Sequence, residues 1–240
     1  MEQFNIKKAK VFKSLPFECS YISSKKEQRL IVKLDRDDKN QLYFDELMKR
    51  GFRRNFNHMY FPICSYCNSC MSSRIKIKDF KRSKSQRRNV KSNSDLKFII
   101  NNNINKKERY ELFLKYSHSR HSDSQMRLMT FEEFNNFLYK SPVKNNVYDL
   151  IDDNDNILGV MLLDFLDNGL SAVYSFYDPN FLQRGLGTHM ILKAICLTEE
   201  LNLDYLYLGY WVSESKKMSY KAAFKSLEIF FKGNWQPLEI

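Results

Sequence analysis

No stretch of the 240-residue sequence approaches the roughly 18–20 consecutive apolar residues that a membrane-spanning helix needs. The first ten residues, Met1 to Lys10, contain no apolar signal core. A soluble, cytoplasmic protein without a membrane partner is therefore expected. Glycine is scarce at seven residues and tryptophan at two, against nineteen Phe and fourteen Tyr, which excludes collagen-like and linker-like sequence. Five cysteines is an odd count in a chain without secretory features, which argues against a disulfide framework. No Walker A, HExxH or nucleophile-elbow pattern occurs, no Ser/His pair marks itself as nucleophile and base, and there are no internal repeats. What is present is an apolar content of 43%, enough for a substantial core in one large domain or two small ones.

Acidic residues are nearly missing from one window. Between Lys49 and Lys91 there are thirteen Lys/Arg and a single acid, Asp79. That window carries +12 of the formal +11, so the remainder of the chain sums to −1. A single-sign block of this density suits a polyanionic partner, nucleic acid foremost, although a solvated basic face is the plainer alternative. Within it, Arg74-Ile75-Lys76-Ile77-Lys78 alternates apolar and basic residues, the period of a strand with one charged face. Ser83 to Lys91 begins with serines suited to cap a helix, whose first N–H groups would be open to a phosphate.

Three cysteines fall at Cys64-x-x-Cys67-x-x-Cys70, just after the strand-like run His58 to Ile63. Spacings of three gather sulfurs on one side of a tight turn, as zinc or an Fe–S cluster requires. Cys19 is the best candidate for a fourth ligand, with His58 behind it; reduced thiols bound to nothing are the even alternative. Cys196 lies in an apolar helical run and reads as core.

Strands are expected at 28–34, 58–63 and 96–101, with a helix from Asn40 to Arg50 closed by Gly51. Helices are expected from Asn105 to about Arg120 and from Thr130, where Thr130-x-x-Glu133 is a capping box. Apolar strands follow at 147–151, 157–165 and 170–177, separated by Asp/Asn/Gly turns. A helix opens at Arg184-Gly185-Leu186-Gly187-Thr188 and runs to about Leu201, then comes a strand at 205–211 and a short helical piece at 218–224. Strand, Gly-containing loop, helix and strand make a parallel crossover unit. The polar run 101–105 marks a boundary between a segment 1–100 and a segment 101–240.

The Gly-containing loop resembles the pyrophosphate loop of GNAT acyltransferases, with Leu182 where Gln or Arg is usual. Direct attack of an amine on an activated ester needs no covalent intermediate, only a positioned amine, a proton acceptor and donors for the oxyanion.

Longer motifs carry a more specific resemblance. Arg53-Arg54-x-x-x-x-Met59-Tyr60-x-Pro62-x-Cys64-x-x-Cys67-x-x-Cys70-x-x-x-Arg74 is followed by Ser83-Lys84-Ser85-Gln86-Arg87-Arg88-x-x-Lys91-x-Asn93-x-Asp95-Leu96. The second half adds Leu170 to Tyr174, Phe176-Tyr177-Asp178-Pro179, Leu186-Gly187-Thr188, Tyr205 to Trp211 and Lys217-Met218-x-Tyr220-Lys221-x-x-Phe224. Together these resemble the aminoacyl-tRNA–protein transferases, the arginyltransferase family with its bacterial aspartate/glutamate leucyltransferase branch, over about residues 14 to 235.

The resemblance implies an α+β fold: a GNAT-like acyltransferase domain joined to a basic, Cys-containing N-terminal α/β domain. It implies transfer of an amino acid from aminoacyl-tRNA to the N-terminal residue of proteins with acidic N-termini, marking them for N-end-rule degradation, with no cofactor required. It places Arg74, Ser83, Ser85, Gln86, Arg87, Arg88 and Lys91 on tRNA phosphates or the acceptor's acid. Gly187 and Thr188 fall on the loop, and Lys217, Tyr220 and Lys221 on terminal nucleotides or the acceptor carboxylate. His121 is the titratable candidate, while Tyr174, Tyr177, Tyr207, Tyr210 and Trp211 would line the aminoacyl pocket, with Tyr174 and Tyr210 as candidate catalytic groups. Cys19 with Cys64, Cys67 and Cys70 resembles the bacterial branch, favouring leucine over arginine. Gly185 in place of Ser and Ser226 in place of Pro depart from that branch. A CoA-dependent N-acetyltransferase and a non-catalytic RNA-binding protein are the competing readings.

Overall fold

The computed structural model describes residues 10–34, 40–101, 105–120 and 125–239. The chain opens with β1 (Val11–Lys13), a short hairpin of β2 (Phe17–Glu18) and β3 (Lys26–Glu27), and β4 (Arg29–Lys33). Helix α1 (Asn40–Lys49) follows, then β5 (Arg53–Asn55) and β6 (His58–Pro62). Four of these strands form an antiparallel sheet in the order β1-β4-β6-β5. Val32 and Met59 from its inner face bury against Phe44, Leu47 and Met48 of α1, the stripe that a one-sided helix presents.

The chain then enters a larger sheet through β7 (Met71–Lys76). After it come α2 (Lys84–Ser92), β8 (Lys97–Ile99), α3 (Lys106–Arg120), α4 (Phe131–Tyr139), β9 (Asn145–Ile151) and β10 (Ile157–Phe165). The run closes with β11 (Gly169–Tyr177), α5 (Leu186–Glu200), β12 (Tyr205–Trp211), β13 (Leu227–Phe231) and β14 (Asn234–Pro237). The eight strands lie in the order β14-β13-β7-β12-β11-β10-β9-β8. Only β11 and β12 pair in parallel among them, and α5 is their crossover, as the strand–loop–helix–strand pattern predicts. The fold is the expected mixed α+β architecture. Among the described residues no helix is long and apolar enough to cross a membrane.

Period-2 alternation sorts side chains to the two faces of this sheet. Leu206 and Leu208 of β12, with Met161 and Leu163 of β10, pack with Met190, Ile191 and Ala194 of α5. On the opposite face Val160, Leu162 and Phe176 meet Phe113 of α3 and Phe134 and Phe137 of α4. Also on that face, Tyr207 joins the core of the four-stranded sheet and α1. The small sheet and the α3–α4 pair thus sit side by side on one face, and α5 with α2 occupies the other.

Two expectations change. The division near residue 100 does not separate the sheets, because β7 and β8 both run in the larger one. Arg74 does not lie on a charged, solvated strand face. Strand β7 is interior, paired to β12 on one side and β13 on the other, and both its faces are covered. Arg74 is 8% exposed, with Nε 2.7 Å from Glu228 and its guanidinium between the rings of Tyr205 and Trp235, at 3.5 and 4.2 Å from their centroids.

Candidate active site

The parallel pairing of β11 with β12 is brief. Gly169, Leu170 and Ser171 pair with Tyr205, Leu206 and Tyr207, and the ladder then stops. Each strand carries an extra residue where they part. On β11, Leu162 faces Tyr174 and Leu163 faces Ala172, so Val173 is a bulge; on β12, Tyr207 faces Arg74 and Gly209 faces Ser73, so Leu208 is another. A bulge bends its strand and turns backbone groups out of the ladder. The two bulges open a fork between the C-terminal halves of β11 and β12, the position where an extended substrate can enter a sheet.

The side chain of Arg53, on edge strand β5 of the small sheet, reaches into this fork. Its Nη2 donates to the Val173 carbonyl at 2.8 Å. The guanidinium lies close against Gly209, where a Cβ would come within 2.2 Å of Nη1; Gly209 also holds φ +75°, a region an L side chain rarely adopts. The neighbouring Arg54 fixes the position of β5. It donates to both oxygens of buried Asp164 on β10, at 2.5 and 2.8 Å, and to the Phe56 carbonyl at 2.7 Å. Arg53 was part of a recognised motif but received no role from the sequence, because nothing local shows that β5 points at a strand pair 120 residues away.

At the mouth of the fork lies the loop that opens α5, and α2 is bonded to it. The Asn89 amide donates to the carbonyls of Arg184 and Gly185 at 3.0 and 3.1 Å, and Asn93 donates to Arg184 at 3.0 Å. Arg184 returns the contact through Asn93 Oδ1 and Asp95 Oδ1 at 2.9 and 2.5 Å. His189 Nδ1 lies 3.2 Å from Asn89 Oδ1; burial, with Lys193 and Arg184 nearby, lowers this imidazole to about 4, so it is neutral at pH 7. Helix α2 runs antiparallel along α5 and presents Lys84, Ser85, Arg87, Arg88 and Lys91 to solvent, a basic stripe leading to the first turn of α5.

The expected residues divide into three groups. Ser85, Arg87, Arg88 and Lys91 are exposed on α2, and Gly187 and Thr188 stand in the first turn of α5, with Tyr177 against Gly187. Tyr174 and Trp211 flank the fork; Trp211 Nε1 is buried without a hydrogen-bond partner, and the buried Tyr174 hydroxyl has Ser117 of α3 beside it. Burial, followed by neighbouring Tyr116, raises the Tyr174 phenol above its ordinary range. Lys217 and Tyr220 are exposed beyond the end of β12.

The second group is structural, contrary to expectation. Ser83 caps α2 by accepting from Gln86 N at 3.3 Å, while the Gln86 side chain accepts from Ser83 N at 2.8 Å and donates to Ala223. Gln86 is thereby committed to the helix end and to Ala223, while the Ser83 hydroxyl caps the helix and also lies 3.0 Å from Ser85 Oγ. Tyr210 is fully buried, and its hydroxyl donates towards the carbonyls of Tyr60 and Gly51, at 2.9 and 3.3 Å. It braces β12 against the small sheet. Lys221 is 2% exposed and donates to the Tyr210 carbonyl; burial, then repulsion from Arg53, holds its amine well below the ordinary lysine range. The third group is His121 alone, which lies outside the described residues.

Cys19, Cys64, Cys67 and Cys70 line one cavity of about 370 Å³ between the β2–β3 hairpin and the turn before β7, with Lys25 and Glu27 on its wall. All four are free thiols. Hydrogen bonding with Ser69, side chain and backbone, and Lys25 Nζ 3.6 Å away lower the Cys67 thiol, whereas burial and then Glu27 and the other three sulfurs push Cys70 up to about 12. Among the described residues no group of three or more His, Cys, Asp or Glu is drawn into a ligand set close enough to hold a metal ion.

Comparison with known proteins gives concordant similarities. Residues 17–88 match the family described as arginine-tRNA-protein transferase, N terminus, and residues 108–231 match arginine-tRNA-protein transferase, C terminus. An aspartate/glutamate leucyltransferase of Ruegeria sp. (strain TM1040) is 40% identical over 225 residues, which span 93% of this chain and 82% of that protein. A protein of the same name from Granulibacter bethesdensis is 37% identical over 220 residues, with 92% and 82% covered. Among solved structures, FemX overlays at a TM-score of 0.48 with 10% identity, over 85% of this chain and 80% of that one.

Proposed function

The chain belongs to the arginine-tRNA-protein transferase family, and from that premise we propose that it transfers leucine from leucyl-tRNA to the N-terminal Asp or Glu of proteins, marking them for N-end-rule degradation. One observation carries the reading: the basic helix α2 is hydrogen-bonded to the loop at the mouth of the β11–β12 fork. Phosphates laid along Arg87, Arg88 and Lys91 would lead a tRNA's 3′ end to that mouth.

In the fork the acceptor's α-amine attacks the ester carbonyl of the leucyl group. The C–N bond forms as the C–O bond to the terminal ribose breaks, and the ribose oxygen takes a proton as the amine gives one up. Backbone groups freed at the bulges, together with the Tyr174 and Trp211 donors, are suited to the developing oxyanion. Leucine over arginine is supported by the Cys-x-x-Cys-x-x-Cys pattern and by the relatives' names. Gly185 gives no separate support to a CoA enzyme, since the close approach of Asn89 and a left-handed backbone account for it.

For Cys19, Cys64, Cys67 and Cys70 we propose a structural thiolate centre for zinc or an Fe–S cluster, supported by four thiols facing one cavity, a donor set suited to a soft metal. Its ligands would have to draw together on binding. Elemental and acid-labile sulfide assay of protein purified without affinity metals is expected to return metal at the molar scale; a metal-free, fully folded protein would overturn it.

The transfer assay offers labelled leucyl-tRNA and arginyl-tRNA with peptides beginning Asp, Glu, Arg or Ala. Transfer of leucine to Asp and Glu peptides is expected. Transfer only of arginine would move the chain to the other branch. RNA binding without any transfer would leave a binding protein.

A further inference from the structure

Arg53 stands in the fork with most of its donors unused. A guanidinium has five N–H groups, and the bond to the Val173 carbonyl uses one. Among the described residues no carboxylate pairs with it. Asp164, whose carboxyl lies within its electrostatic reach, already gives both oxygens to Arg54. Its electrostatic surroundings are chiefly the phenols of Tyr60, Tyr21, Tyr220 and Tyr210, not carboxylates. The amine of Lys221, bonded to the carbonyl next to Gly209, is held well below the ordinary lysine range by burial and then by Arg53, so it offers no counter-charge either. A partly covered cation with no counter-charge is a costly arrangement, which an incoming anion relieves.

Two substrate anions could meet it, a tRNA phosphate or an acceptor carboxylate, and the layering separates them. The basic stripe of α2 lies with α5 on the Leu206/Leu208 face of the sheet. Arg53 enters from the small sheet, on the Tyr207 face. The polynucleotide and Arg53 therefore approach the fork from opposite faces of the sheet, which leaves Arg53 to the acceptor whose amine adds to the delivered ester carbonyl. The bond to Val173 leaves four of the five guanidinium N–H groups of Arg53 for a ligand, and a planar fork of donors matches a carboxylate through two parallel bonds.

Resting on the transferase reading above, we propose that Arg53 is the acceptor-specificity residue: its free guanidinium edge takes the side-chain carboxylate of the acceptor's N-terminal Asp or Glu. A lost or uncharged partner would leave a buried charge unpaired, which makes such a contact strongly discriminating.

The test compares full-length wild type with Arg53→Gln and Arg53→Lys on peptide pairs beginning Asp or Asn and Glu or Gln, with leucyl-tRNA as donor. The acid-to-amide ratio of kcat/KM is expected to fall at least about 30-fold in Arg53→Gln, with KM for leucyl-tRNA within about 3-fold of wild type. Arg53→Lys, which keeps the charge but not the fork of donors, is expected to fall between. An unchanged ratio overturns the assignment, and a raised KM for leucyl-tRNA with the ratio kept assigns Arg53 to a phosphate instead. Should Arg53→Gln fail to fold, hydrogen exchange on wild type decides: an Asp peptide, but not its Asn twin, is expected to slow exchange at 51–55 and 207–211. Equal protection by both peptides, or none, sinks the proposal. Wild type that transfers to no acidic peptide sinks the transferase reading instead, and the exchange measurement still reports on Arg53 alone.

Discussion

Asn89 and Gly185 are shaped to each other. The Asn89 amide nitrogen lies 2.9 Å from where a Cβ on Gly185 would stand, and it donates to the Gly185 carbonyl at 3.1 Å. Gly185 takes φ +60° and ψ 44°, so it serves both as the left-handed entry to α5 and as the gap into which α2 locks. This pair places a basic helix at the mouth of a strand fork.

Replacing Asn89 by Ala is expected to leave the Arg184 and Gly185 carbonyls without that donor, at about 1–3 kcal/mol. A melting temperature lower by about 3–8 °C and a raised KM for leucyl-tRNA should follow. Thermal denaturation and initial-rate kinetics check both. A melting drop without any change in KM would uncouple α2 from donor binding.

Exposed and buried basic residues should differ in their response to salt. Arg87→Ala, Arg88→Ala and Lys91→Ala are each expected to lower the slope of log K against log salt for tRNA by about 0.7–1. Arg74→Ala should leave the slope unchanged but destabilise the fold by about 3 kcal/mol, because Glu228 loses its partner inside the sheet. Filter binding across a salt series, paired with denaturant titration, separates the two.

Asp45 on α1 is 8% exposed, and burial, reinforced by Asp167 and opposed by Gln41, raises its carboxyl to about 6. The unfolded chain has this group near 4. Between those values the folded state binds the extra proton, so the stability Asp45 confers is present in full below about pH 4 and lost as pH rises through 6. Asp45→Asn keeps an oxygen for Gln41 Nε2, now 2.9 Å away. The variant is expected to be more stable than wild type by about 2 kcal/mol at pH 7, the difference vanishing by about pH 4. Urea unfolding at both pH values is the measurement, and a pH-independent difference would contradict it.

The cysteines should not react alike. Ser69 and Lys25 favour the Cys67 thiolate, whereas burial and neighbouring acid and sulfur groups disfavour that of Cys70. In chelator-treated protein at pH 7.5, iodoacetamide is expected to label Cys67 well before Cys70, read by peptide mass mapping. Labelling in the reverse order would show that the cavity is arranged differently in solution.

Much of the scaffold was legible because its determinants are local. The capping box at Thr130/Glu133 and the capping serines before α2 sit within one helical turn, and the continuous apolar runs at 157–165 and 205–211 stand out without reference to any partner. The hairpin of β13 and β14 was not foreseen. Its short, mostly exposed β14 carries little alternation, and the hairpin is secured by register against β7, which no nearby residue reports.

The linear order of residues was sufficient for the elements, the crossover, the basic block and the family motifs, since each depends on neighbours a few positions apart. Only the tertiary structure decided which charges were free. Arg74 and Arg53 look equivalent in a basic run, yet one is sealed between rings and a glutamate and the other opens on a fork. That difference comes from strand order: burial and counter-charges are supplied by segments more than a hundred residues distant, and only closure of the sheet brings them together.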